Sequence, residues 1–271
     1  MILIVASKQD PAGMNIAKNM LEHHDFEKRE ADAYDYCGGK ALLQLIEERT
    51  IFSNYIENGY EDVDALFFIT RHYSESGIHS LTTHSPGCFT DAPFGGMPGE
   101  LCLSNPIAQK LALKSMFHQR EEAGLDYEVS LEATHHGPIT GVPTTFFEVG
   151  SGLEQWKDDK AGEIVANATI QALKYKDFDF PLAIGLGGGH YPQKLSEVVN
   201  HTEWAIGHIA PKYAFPLEER MIRTLFAKNN GGETAIFDWK GTPDRSRYQE
   251  MITSLGYRAL KTRDLGNSMK Y

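Results

Sequence analysis

Six of the chain's eleven histidines fall where an apolar run gives way to a turn: His72, His84, His135, His136, His190 and His208. Imidazole titrates near neutrality, ligates metals as the neutral ring and moves protons, so this placement points to ligand or acid–base chemistry. The densest string is Leu131-Glu-Ala-Thr-His-His-Gly-Pro138. On a strand through Thr134, alternation puts Glu132, Thr134 and His136 on one face and His135 on the other. A carboxylate beside two imidazoles suits a metal ligand set, or a general base held by an orienting partner. A second string, Leu186-Gly-Gly-Gly-His-Tyr-Pro192, follows another apolar run. Its glycines allow close approach, and free N–H groups there could face an anion or a developing oxyanion. Arg71 and His72 close a third run as a substrate-facing pair, and Lys212, shortly after His208, could meet a phosphate or carboxylate.

Other chemistries lack their residues. No G-K-[ST] follows the triple glycine and no G-x-G-x-x-G is present, which disfavours a nucleotide cofactor. There is no H-E-x-x-H and no G-x-S-x-G. Cys37, Cys88 and Cys102 show no C-x-x-C spacing and no signature of a thiol nucleophile. The remaining logic is hydrolytic: a histidine–carboxylate cluster, with or without zinc, activates water against a carbonyl held by glycine amides.

The elements that must position these groups alternate along the chain. Apolar runs at 1–6, 63–70, 129–133, 182–186 and 234–237 read as buried strands. Helical patterns lie between them at 14–22, 106–123, 154–174, 217–228 and 245–255. Such alternation implies a layered α/β fold with a largely parallel sheet, and the alternating segment 78–84 adds an antiparallel or mixed part. Ser151 with Glu154 reads as a capping box opening the helix that contains Trp156. Residues 85–100, with four glycines and three prolines, form the main loop. No linker or repeat divides the 271 residues, so one domain over 1–271 is expected. No apolar run of about 18 residues exists to cross a membrane, and three unpatterned cysteines fit a reduced, cytoplasmic setting. Net charge is −11, all of it within residues 1–135, whereas residues 240–271 hold seven basic against three acidic side chains. A polyanion could dock on that C-terminal side.

Taken together, these strings resemble the archaeal and plant type of D-aminoacyl-tRNA deacylase. The resemblance rests on Ile4-Val-Ala-Ser-Lys-Gln-Asp-Pro-Ala-Gly-Met-Asn-Ile16, Thr70-Arg71-His72, His84 before Gly95-Gly96, and Glu132 through Pro138. It continues in Phe147-Glu148, Gly150-Ser151, Trp156-Lys-Asp158, Gly188-Gly-His-Tyr191, Gly207-His208 and Lys212-Tyr213, and so covers nearly the whole chain. Pro192 directly after Tyr191 is a departure from the pattern. The resemblance implies a phosphorylase or peptidyl-tRNA hydrolase-like fold, a three-layer arrangement with a mixed, mostly parallel sheet. It also implies zinc-dependent hydrolysis of the ester joining a D-amino acid to the tRNA 3′ end. Within that activity we expect Glu132, His135, His136 and His190 to be catalytic. Zinc ligands would come from His84, Glu132, His136, His190 and His208. Arg71, His72, Thr134, Gly188, Gly189 and Lys212 would bind substrate, with Arg258, Lys261 and Arg263 steering the tRNA. Exclusion of L-amino acids would fall to Phe146, Phe147 and the 85–100 loop. A monomer is expected, since a chain this long builds its own core. The alternative is a zinc-dependent hydrolase of small amides or peptides, motivated by the same cluster and the acidic surface.

Overall fold

The structure is a computed structural model and describes residues 1–75 and 77–265. In chain order the elements are β1 (Ile2–Ser7), α1 (Pro11–His23), β2 (Phe26–Glu30), β3 (Ala33–Tyr36), β4 (Ala41–Ile46), β5 (Ala65–Tyr73), β6 (Ser80–His84) and α2 (Pro106–Ala123). Next come β7 (Glu128–Leu131), β8 (Thr144–Ser151), α3 (Leu153–Trp156), α4 (Asp159–Ala172), β9 (Leu182–Leu186) and α5 (Gln193–His201). The chain closes with β10 (Ala205–Ala210), α6 (Glu219–Ala227), β11 (Thr234–Phe237), α7 (Arg245–Ser254), β12 (Arg258–Lys261) and α8 (Thr262–Leu265). No helix among the described residues is long and apolar enough to cross a membrane.

The α/β class and the mostly parallel pairing are as expected, but the strands divide between two sheets. One has eight strands in the order β2-β3-β4-β1-β5-β8-β6-β7, with β2–β3, β3–β4 and β6–β8 antiparallel. The other is wholly parallel, in the order β10-β9-β11-β12. The helices form where the sequence caps them. Asp10 accepts from Ala12 and Gly13 before Pro11-led α1, and Asn105 accepts from Ala108 before Pro106-led α2. Left-handed Gly124 ends α2. The capping box at Ser151 does not form: Ser151 is the buried last residue of β8, and α3 follows Gly152 with no side-chain cap. The cap that does form is Asp158, which accepts from Lys160 and Ala161 and opens α4, so the single helix expected over 154–174 is two.

Strand parity decides which residues reach the site. In the larger sheet, Phe67, Ile69, Phe147 and Val149 join the core formed with α1, α2 and α4. Phe68 and Phe146 belong to the other face, stacked with ring centroids 4.7 Å apart. Phe147 is therefore turned away from the side that Phe146 shares with His84 and His136. Helix α2 also packs on β10 and α5, and its Leu113 joins β7, β9 and α5 in a further core.

Candidate active site

The polar positions on the Phe68–Phe146 face extend its parity. Thr70 pairs in register with Glu148 and Glu148 with Thr82, while His72 pairs with Gly150 and His84 with Phe146. His72, Glu148 and His84 thus stand on one face of three adjacent strands. Glu132 arrives just past the end of β7. His190 comes from the smaller sheet on the turn after β9, where its carbonyl accepts the Ala133 N–H at 2.8 Å.

The expected alternation at 132–136 fails because β7 ends at Leu131. His136 adopts a left-handed backbone, φ +41°, and His135 and His136 both turn toward His84, with ring centroids 4.3 and 4.8 Å from it. Glu132 lies at the centre. Its Oε1 is 3.0 Å from His72 Nδ1, and its Oε2 is 2.9 Å from His190 Nε2 and 3.6 Å from His135 Nε2. Glu148 bridges His72 Nδ1 at 3.3 Å and His84 Nε2 at 3.6 Å.

Burial and mutual charge set the protonation. Burial disfavours a charged His72, but Glu132 and Glu148 outweigh it and raise its pKa to about 10. His84 is raised in the same way, chiefly by Glu148 against the cost of burial. Burial would raise the carboxyls too, yet the surrounding imidazoles hold Glu132 well below its ordinary value and lower Glu148. Burial, joined by neighbouring histidines, keeps His135 and His136 neutral, the latter at about 4. In each neutral ring Nδ1–H donates to a carbonyl, Ala133 O at 2.8 Å for His135 and Gly137 O at 2.6 Å for His136. Each Nε2 therefore carries the lone pair.

This donor set fits a divalent metal. Both oxygens of buried Glu132 lack any partner in hydrogen-bonding geometry, although two ring nitrogens come within 3.0 Å. His72, Glu132 and His190 present ligand atoms within 4.8 Å of one another, as do His84, His135 and His136. Two histidines and a carboxylate are a zinc ligand set. The Tyr191 hydroxyl lies 2.7 Å from His72 Nε2 and the Tyr213 hydroxyl 3.4 Å from His190 Nδ1, an orienting partner for each ring.

His72, His135, His136, Glu148 and His190 of the cluster line a cleft of about 490 Å³. Its lining also includes Ser7, Gln9, Asp10 and Thr70, Arg49 and Ile51, Arg71 and Trp156, and Phe94 from the 85–100 loop. Asp10 shapes this wall: its Oδ2 accepts the Thr70 hydroxyl at 2.7 Å and the Arg71 N–H at 3.0 Å.

The cleft collects His72, Arg71, His135, His136 and His190, with Glu132 and His84 directly behind. It does not collect His208, Thr134, Gly188 or Lys212. His208 has both ring nitrogens engaged, by Thr134 Oγ1 at 3.0 Å and Cys102 O at 2.9 Å, leaving no ligand atom free. Thr134 is thereby a buried structural partner, which also accepts the Ile209 N–H. The Gly188 N–H is spent on Gly241 O at 3.2 Å, so it cannot serve an oxyanion, and neither Gly188 nor Gly189 lines the cleft. Exposed Lys212 stands outside the lining. Sequence reasoning did not single out Glu148, Asp10 or Tyr191 as site residues. Glu148 had a usable signal, an acid inside an apolar strand, since a carboxylate is almost never buried without a partner.

A family profile described as D-aminoacyl-tRNA deacylase matches residues 59–260. The D-aminoacyl-tRNA deacylase of Thermococcus onnurineus is 35% identical over 259 residues, covering 91% of this chain and 94% of the relative. That of Pyrococcus furiosus is 34% identical over 274 residues, covering 96% and 100%. Among solved structures, the crystal structure of conserved protein of unknown function AF0625 superposes with a TM-score of 0.90 at 30% identity, covering 98% of this chain and 97% of the other.

Proposed function

The chain belongs to the D-aminoacyl-tRNA deacylase family, and we propose that its histidine-lined cleft is where the ester between a D-amino acid and the tRNA 3′ end is hydrolysed. The products are free tRNA and the D-amino acid. The observation that carries the assignment to this cleft is the convergence of His72, His84, His135, His136, His190, Glu132 and Glu148 in one cluster, five of whose members line it. A hydrolase of small amides or peptides is the less favoured reading, because the relatives are named for an aminoacyl-tRNA substrate.

Zn2+ would be held by His72 Nδ1, Glu132 and His190 Nε2, which leaves His136 Nε2 free of metal. When bound it would supply Lewis acidity to water and to the ester carbonyl. The chain's own groups do the rest. Neutral His136 offers Nε2 to a proton leaving the attacking water. Ionised Glu148 stabilises the imidazolium that results, and Glu132 holds His72 and His190 in place. Arg71, fixed by Asp10 through its backbone and by Trp156 beneath its guanidinium at 5.2 Å, faces the ribose and phosphate side of the substrate.

Deacylation of matched D- and L-tyrosyl-tRNA is the direct test, and equal rates on the two would sink the reading. For the metal, the protein should contain zinc after purification without an affinity tag, lose activity with a chelator and regain it on zinc addition. Glu132→Gln should weaken zinc retention at least tenfold, in the range known for removal of a supporting or ligating group. Full activity in a verified zinc-free protein would remove zinc from the proposal.

A further inference from the structure

All four strands of the smaller sheet run parallel, so their C-terminal ends share one edge. The turn carrying His190 follows β9 on that edge, and Lys212 follows β10. Asp238, Trp239 and Lys240 follow β11, while Lys261 and Arg263 end β12 and enter α8. The loops are tied together. Gly187 N–H donates to Ala210 O and Gly188 N–H to Gly241 O, while the Thr242 hydroxyl donates to Leu186 O at 2.9 Å. The cations are thus held in a fixed relation to His190 and hence to the cleft.

Around Trp239 they form a groove of about 360 Å³, lined by Lys194, Trp239, Lys240 and Arg263 together with the acids Glu197 and Asp238. Lys261 sits over the indole at 4.0 Å and Arg245 over it at 5.3 Å. Asp238 answers Lys194 at 2.6 Å and Asp264 answers Arg263 at 3.5 Å. Lys240, Arg245 and Lys261 have no ion pair among the described residues. Arg258 begins β12 and so lies at the opposite edge. Lys270, also counted in the basic C-terminal stretch, lies outside the described residues.

The N-terminal half carries the whole net charge of −11, so a polyanion approaching the cleft is repelled on that side and attracted along this edge. We propose that this edge binds the phosphate backbone of the tRNA acceptor end and leads it into the cleft past His190, with Lys240, Arg245, Lys261 and Arg263 as the cations that meet it. The inference rests on the deacylase reading and names the surface that makes the substrate a tRNA rather than a free ester.

The test compares D-tyrosyl-tRNA with 3′-O-D-tyrosyl-adenosine, which has the ester but no backbone. The variant combines Lys240→Ala, Arg245→Ala, Lys261→Ala and Arg263→Ala. It should raise KM for the tRNA about tenfold or more at about 150 mM salt, with kcat within about twofold. The fall of log kcat/KM with log salt should become shallower by roughly 0.7 to 0.9 for each phosphate that the variant no longer neutralises. Turnover of the adenosine ester should be unchanged, which also shows that the variant is folded. Arg258→Ala, on the same strand at the other edge, should leave tRNA KM unaltered. An unchanged tRNA KM and salt slope, a parallel loss on both substrates, or an equal effect of Arg258→Ala would overturn the proposal. If the wild type failed on D-tyrosyl-tRNA altogether, the deacylase reading would fall. Binding of uncharged tRNA, which the fourfold variant should lose, would still decide the surface.

Discussion

His72 and His208 are buried imidazoles pushed in opposite directions, and the difference fixes how the protein should respond to pH. Burial disfavours charge at both, but only His72 faces carboxylates, and its pKa rises to about 10 while that of His208 falls to about 4. An unfolded histidine titrates near about 6.5. The stabilisation from protonated His72 is complete below that pH and is lost as pH rises through 10. His208 and His136, each at about 4, act on the other side. Between pH 6.5 and 4 the unfolded chain takes up protons that the folded chain refuses, so stability falls with pH there. Thermal denaturation of the metal-free protein should therefore peak near about pH 6.5. His72→Gln should flatten the alkaline limb and His208→Asn the acid limb; limbs unchanged in both variants would contradict this assignment. Activity should be more sensitive at Glu148. Glu148→Gln keeps the shape but removes the charge that would stabilise the imidazolium of His136, and a loss of kcat on the order of 10² or more is expected. Retention of wild-type kcat would exclude that role.

Two elements hold the site from outside it, and each gives a prediction. Lys110 of α2 is buried, and its ammonium donates to Val199 O, Thr202 O and Trp204 O at 2.6, 2.6 and 3.0 Å. It thereby closes the C-terminal end of α5, whose N-terminal end lies just past the His190 turn. Lys110→Met leaves those carbonyls without a donor, and unfolding should become easier by about 2 to 4 kcal/mol. A cost below about 1 kcal/mol in denaturant unfolding would show that water replaces the lysine. The loop bearing Phe94 is held differently. Gly95 has φ +77°, and a Cβ there would collide with the Ile51 carbonyl. Gly95→Ala should displace Phe94 from the cleft and alter KM more than stability; an unaltered KM would show that the loop does not touch substrate. The elements were unevenly legible in the sequence. α2 could be read to the residue because Asn105-Pro106 opens it and Gly124 closes it, and β9 and β11 are unbroken apolar runs. β8 was legible only in its second half, where Phe147 to Ser151 reads as a strand carrying Glu148; Thr144 and Thr145 break the apolar pattern of its first half, and Glu148 is buried against His72 and His84 of the neighbouring strands. For the same reason Glu132 and the histidine pair were legible as a string, but not the partnership with His72 and Glu148. That partnership depends on a register between β5, β8 and β6 that no local pattern encodes.

At the scale of the whole molecule, the candidate metal site joins the two sheets. His72 and Glu148 come from the eight-stranded sheet and Glu132 from the end of its edge strand, whereas His190 belongs to the four-stranded one. A ligand held only in the folded arrangement stabilises it by RT ln(1 + [L]/Kd), about 2.7 kcal/mol at a hundredfold excess over Kd. Zinc should therefore raise the melting temperature, and His190→Ala should abolish most of the rise while leaving the zinc-free melting temperature nearly unchanged. An equal rise in that variant would place the metal elsewhere. The split between sheets also explains why the site could not be assembled from sequence: residues 72 and 190 meet through tertiary packing, which includes the Ala133 N–H on the His190 carbonyl and the Tyr191 hydroxyl on His72. One further consequence lies in Trp156, whose indole N–H donates to the His72 carbonyl at 2.9 Å while its ring supports Arg71 at the cleft wall. The indole is a built-in optical probe. Its emission should shift in wavelength as the neighbouring pocket fills, the shift should vanish in Trp156→Phe, and stopped-flow traces could then time substrate arrival without any added dye.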